Sequence, residues 1–70
     1  MVGEVIDFDE DGGYGTVRAA GGVEYFFHCT AVADGSRTIE VGTSVHFQVV
    51  PGGRGHWEGA DLVPITSPDQ

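Results

Sequence analysis

Apolar and polar residues alternate along this chain in short runs, and no long stretch keeps a helical spacing. The cleanest alternation spans residues 44–50. It sets Val45, Phe47 and Val49 on one face and His46, Gln48 and Val50 on the other, which predicts a strand. Residues 3–9 predict an earlier strand with Val5 as its core contact. Residues 14–19 follow, with Val17 inward and Tyr14, Thr16 and Arg18 outward. Residues 24–28 direct Tyr25 and Phe27 to the core and Phe26 and His28 away from it, and residues 57–63 read as the last strand. Between these runs stand turn signals: Asp9-Glu10-Asp11-Gly12-Gly13, Gly21-Gly22 and Pro51-Gly52-Gly53-Arg54-Gly55. Cys29-Thr30-Ala31-Val32 has room for a single helical turn. Residues 33–42 form a loop with Asp34-Gly35-Ser36 at its tip and Ile39 as its anchor.

Five short strands at this spacing predict an all-β fold, a small five-stranded antiparallel barrel. Closure suits a chain of 70 residues, because it buries a face and removes exposed edges together. A chain of that size buries only roughly 60% of its unfolded surface, so the core is thin. Tyr25 and Phe27 are large for inward positions, and the small residues Ala19 and Ala60 are expected to make room. One domain over residues 1–66 is expected, with a flexible tail over 67–70. Cys29 is the only cysteine, which excludes an internal disulfide and suits a reducing cytoplasm. No apolar run reaches the roughly 18–20 residues that a bilayer requires, and Met1 is not followed by a signal peptide. A soluble, cytoplasmic protein without membrane contact is expected.

Candidate chemistry lies in the rings. The Gly21-Gly22 turn pairs the second and third runs antiparallel, which gathers Tyr14, Phe26 and His28 on one face. Planar rings side by side in water are what unpaired nucleobases stack upon. Here Gly13-Tyr14-Gly15-Thr16-Val17 and Tyr25-Phe26-Phe27-His28 resemble the two ribonucleoprotein motifs of the cold-shock domain family of single-strand binders. The resemblance runs over about residues 2–65. It implies a barrel of the oligonucleotide-binding (OB) type that takes single-stranded RNA or DNA with low sequence preference, in the manner of an RNA chaperone. By the same resemblance, Phe8, Tyr14, Phe26 and His28 are nucleic-acid-binding residues and Arg54 is a phosphate contact. Gly13 and Gly15 would let bases approach.

The departures from the family pattern are substantial. Asp7 stands where the family has tryptophan, Thr16 and Cys29 where it has rings, and Ile6 and Gly12 where it has lysines. Ser36 takes the place of a ring in the long loop. The chain also has three arginines, no lysine and eleven carboxylates, for a net charge of −8. Affinity for nucleic acid comes largely from neutralised phosphates, so a basic stripe is the norm. Any patch here must come from Arg18, Arg37 and Arg54. One stacked base contributes roughly 1–3 kcal/mol, and losing several platforms predicts weak, salt-sensitive binding. The rival reading is a protein-interaction module that keeps the barrel and offers an acidic surface to a basic protein partner. Asp7, Gly12, Thr16 and Cys29 favour it.

Other chemistries find no support. His28 and Cys29 are adjacent and point to opposite faces, and His46 and His56 add no ligand spacing, so no metal is expected. No nucleophile sits in an elbow, and Gly12-Gly13-Tyr14-Gly15 lacks the following helix and lysine of a phosphate loop. The Asp9-Glu10-Asp11 cluster reads as a solvated turn. Neither an enzyme, a cofactor nor a small-molecule substrate is expected, and the protein is expected to be a monomer. Trp57, outside the platform strands, is expected to pack on the barrel and cap its core, with added stacking area as the alternative.

Overall fold

Each alternating run becomes a strand: β1 (Val2–Asp9), β2 (Tyr14–Ala19), β3 (Glu24–His28), β4 (Ser44–Pro51) and β5 (Trp57–Pro64). The structure, a computed structural model, describes residues 1–65, with their side chains except that of Arg54. The tail expected over 67–70 lies outside the described residues. Single 3₁₀ turns over Cys29–Ala31 and Gly53–Gly55 complete the elements.

The strands close in the order β1-β2-β3-β5-β4. Pairings β1–β2, β2–β3, β1–β4 and β4–β5 are antiparallel, as expected. The closing seam is not: β3 meets β5 in parallel, with Phe26 opposite Glu58. The chain leaves β3 and runs through the 3₁₀ turn, the long loop and β4 before returning, which brings β5 in from the same end as β3. Val32 extends that seam through a parallel bridge to Leu62.

Turn chemistry sets the hairpins. Gly21 and Gly22 hold φ of 100° and 96°, a region that costs a side chain but not glycine. The Ala19 N–H donates to the Val23 carbonyl at 2.7 Å, closing that turn. At the other end of β2, the Gly12 N–H donates to Asp9 Oδ1 at 3.1 Å and the Gly13 N–H to the Asp9 carbonyl at 2.8 Å. In the long loop the Ser36 N–H donates to Asp34 Oδ1 at 2.8 Å. That bond, followed by the Ser36 hydroxyl, holds the Asp34 carboxyl below the usual carboxylate range. Ile39 packs against the core and anchors the loop, as its sequence position suggests.

Val5, Val17, Ala19, Phe27, Val32, Val45, Phe47 and Leu62 fill the barrel. Tyr25 is half-buried and tilts against Phe47 at 5.9 Å. The room for large rings comes from glycine and not from Ala60, which stays outside the core. A Cβ on Gly15 would meet Phe27 Cζ at 2.8 Å and Phe8 Cδ1 at 3.0 Å, and one on Gly3 would meet Phe47 Cε1 at 2.8 Å.

Two register shifts deform the sheet. Between Val5 and Asp7, β1 advances two residues while β2 advances one, so Ile6 is an extra residue. The second lies opposite His46–Gln48 on β5, where Asp61 takes φ 52°. The first shift decides the composition of the candidate site.

Candidate nucleic-acid interface

The β2–β3 pairing sets Tyr14 opposite His28 and Thr16 opposite Phe26. Residues directly opposite share a face, so Tyr14, Phe26 and His28 converge as expected. The Tyr14 and Phe26 rings stack at 5.6 Å between centroids and 29° between planes. His28 meets the Phe26 ring edge-on, at 5.0 Å and 87°. Tyr14 and Phe26 are each 39% exposed, and His28 is exposed as well. The result is a small aromatic shelf, preformed and open to water.

Phe8 is not part of that shelf. Strict alternation from Val5 would direct Asp7 inward and Phe8 outward. The extra residue at Ile6 reverses the order, and Phe8 falls opposite the buried Gly15. Its ring stacks on the core ring of Phe27 at 6.0 Å and 10°. What remains accessible of it lines an open groove with Asp7, Asp9, Glu10, Asp11 and Tyr14. Gly15 likewise serves the interior, since its missing side chain is what admits Phe8 and Phe27. Gly13 holds φ of 74°, and a Cβ there would meet Cys29 Sγ at 3.2 Å. Both glycines are used by the fold, whatever approaches from outside.

Acids frame the shelf. Across the sheet, Asp7 opposes Thr16, Thr16 opposes Phe26 and Phe26 opposes Glu58. One row over, Asp9 opposes Tyr14. The Asp9 carboxylate, by hydrogen bonding and then by its charge, raises the Tyr14 phenol above its ordinary value; slight burial and the charge of Asp7 add to the effect. Sequence reasoning missed this pairing, although a short turn joining Asp9 to Tyr14 was the available signal. Gly12 matters too. A Cβ there would meet the Tyr14 ring, with Cδ2 at 2.8 Å, so the ring lies back over the turn where a side chain would stand.

The remaining assignments separate. The Arg54 side chain lies outside the described features, and its backbone sits in the 3₁₀ turn before β5. Trp57 does not cap the core. It precedes Gly59, the first buried residue of β5, by two positions, and its indole is 56% exposed. Among the described residues, no group of three or more His, Cys, Asp or Glu side chains is placed to hold a metal ion. Nor is any helix among them long and apolar enough to cross a membrane.

Comparison with known proteins follows the same line as the geometry. Residues 1–62 match the family described as the 'Cold-shock' DNA-binding domain. The cold shock protein CspB of Bacillus caldolyticus is 41% identical over 64 residues, covering 90% of this chain and 96% of that protein. Cold shock protein CspD of Bacillus subtilis is 39% identical over 54 residues, covering 76% of this chain and 82% of that protein. The chain belongs to the cold-shock domain family. This cold-shock domain is accordingly a single-strand nucleic-acid binder and not an enzyme. Its closed β-barrel is the scaffold, and the shelf on β2 and β3 is the face where the two ribonucleoprotein-like motifs meet.

Proposed function

We propose that this cold-shock domain holds single-stranded RNA or DNA by stacking successive bases on Tyr14, Phe26 and His28. The observation that carries the reading is the stacked Tyr14–Phe26 pair, left 39% exposed at each ring on the outer face of the sheet. Exposed rings offer a π-face that every base can use, which accounts for low sequence preference. Phe8 contributes its accessible edge from the groove, and Arg54, at the turn before β5, meets a phosphate. Binding the unpaired state shifts transcripts away from secondary structure, the action of an RNA chaperone. The protein works as a monomer in the cytoplasm, a compartment that suits its single free cysteine.

The missing rings at Asp7, Thr16 and Cys29 and the framing acids make the complex weak. The acidic groove around Asp7 to Asp11 supports, more faintly, a basic protein partner. One titration separates the two. Oligothymidine or oligouridine is added to labelled protein at low salt, and backbone amides are followed by NMR. Shifts centred on Tyr14, Phe26 and His28 that fade with salt are expected. No movement there at high micromolar oligonucleotide, with shifts at Asp7 to Asp11 on adding a polybasic peptide, would replace this reading by the other.

A further inference from the structure

Trp57 is the single tryptophan of the chain, and it stands in water at 56% exposure. It pairs with Pro51 at the end of the β4–β5 ladder and is not among the buried core residues. The core begins two residues later at Gly59, and neither stacking nor an edge contact joins the indole to Tyr14, Phe26 or His28. Its location is nonetheless specific. Glu58 is the residue of β5 that pairs with Phe26, so Trp57 is the next residue along from the partner of a shelf ring. From sheet spacing and rise, the Trp57 and Phe26 Cα atoms are about 6 Å apart. Alternation turns Trp57 away from the Phe26 face. However, the strand has only begun there, beyond the last buried side chain, so the indole emerges at the barrel rim and not inside it.

We infer that Trp57 is a further base-stacking residue, taking the nucleotide that follows the one on Phe26 as the strand passes from the β2–β3 shelf over the rim. Three observations converge on it. The indole is the largest exposed ring of the described residues. The Trp57 backbone neighbours the shelf strand, because the adjacent Glu58 pairs with Phe26 across the parallel β3–β5 seam. The turn beside Trp57 is glycine-rich, and a Cβ on Gly53 or Gly55 would meet nothing within 4 Å beyond its chain neighbours, so no other strand packs onto these two backbone positions. An indole at this rim also offsets ring area absent at Thr16 and Cys29. The occupant is a nucleotide of the same single strand, so the inference rests on the nucleic-acid reading above.

Two readouts on the wild-type chain keep that reading and this inference apart. Indole fluorescence reports Trp57 alone, because there is no other tryptophan. Amide shifts at Tyr14, Phe26 and His28 report the shelf. On titration with oligothymidines of increasing length, shelf shifts are expected first, and indole quenching joins them once the oligomer is long enough to reach the rim. With a labelled oligomer of that length, Trp57→Ala is expected to weaken binding by roughly 5- to 150-fold, the range of one stacked base. Trp57→Phe restores most of it, and both variants keep the wild-type far-ultraviolet dichroism. Shelf shifts without quenching, and with Trp57→Ala within twofold of wild type, would overturn the inference and leave the shelf standing. Quenching with a silent shelf would also overturn it, since the indole would then serve a separate site. Silence at both would remove the nucleic-acid reading and this inference together.

Discussion

Asp9 has two roles within one turn. Its carboxylate accepts the Gly12 N–H and so shapes the β1–β2 connection, and it also stands beside the Tyr14 hydroxyl. The second contact sets how the shelf responds to alkali. Tyr14 keeps its proton more firmly in the folded chain than the ordinary value of 10.0 implies, chiefly because Asp9 accepts a hydrogen bond from the protonated hydroxyl and repels the phenolate. A raised folded value means that the stabilisation is fully present below the unfolded tyrosine value and is lost as pH rises through the folded one. Tyr25→Phe leaves Tyr14 as the only tyrosine and makes this measurable. In that background, phenolate absorbance is expected to develop at higher pH than in free tyrosine. Adding Asp9→Asn is expected to move the titration back down. An unchanged midpoint would show that the carboxylate does not govern the phenol.

At the level of the strand, the row Asp7–Thr16–Phe26–Glu58 contains one ring flanked on its own sheet face by a hydroxyl and two carboxylates. Thr16 lies directly opposite Phe26, where a ring would extend the shelf toward β1. Thr16→Phe is therefore expected to tighten binding of a short oligothymidine by roughly 1–3 kcal/mol, the contribution of one stacked base. Fluorescence anisotropy of a labelled oligomer reads it directly. No gain would mean that the strand does not cross the sheet at Thr16. The same row shows how far strand periodicity can be read. Outward Tyr14, Phe26 and His28 follow from local alternation and a glycine hairpin, both visible in the chain. Phe8 does not, because one extra residue at Ile6 inverts every later side chain of β1, and no residue type there announces it.

For the whole molecule, the net charge of −8 opposes a polyanion while three arginines are the entire supply of permanent side-chain cations. Each phosphate neutralised on a single strand adds about −0.7 to the slope of log affinity against log salt. With three arginines at most engaged, the slope is expected to be no steeper than about −2. Screening of the overall repulsion by added salt flattens it further. Affinity measured across a range of sodium chloride concentrations tests this. A slope well beyond that bound would show cations other than arginine in the contact. On the proposed reading, binding by this molecule is therefore expected to rely on ring stacking more than on counterion release, with the shelf framed by Asp7, Asp9 and Glu58.

From residues alone came the β class, the five strands, the turns that punctuate them and the convergence of Tyr14, Phe26 and His28. Those features depend on a period of two and on glycine at bends, which are local properties of a chain. Tertiary structure decided the parallel β3–β5 seam, the inward turn of Phe8, the packing role of Gly15 and the exposure of Trp57. Each of these depends on register between distant strands, or on where the closed barrel runs out of interior. Such quantities are set only when the strands meet.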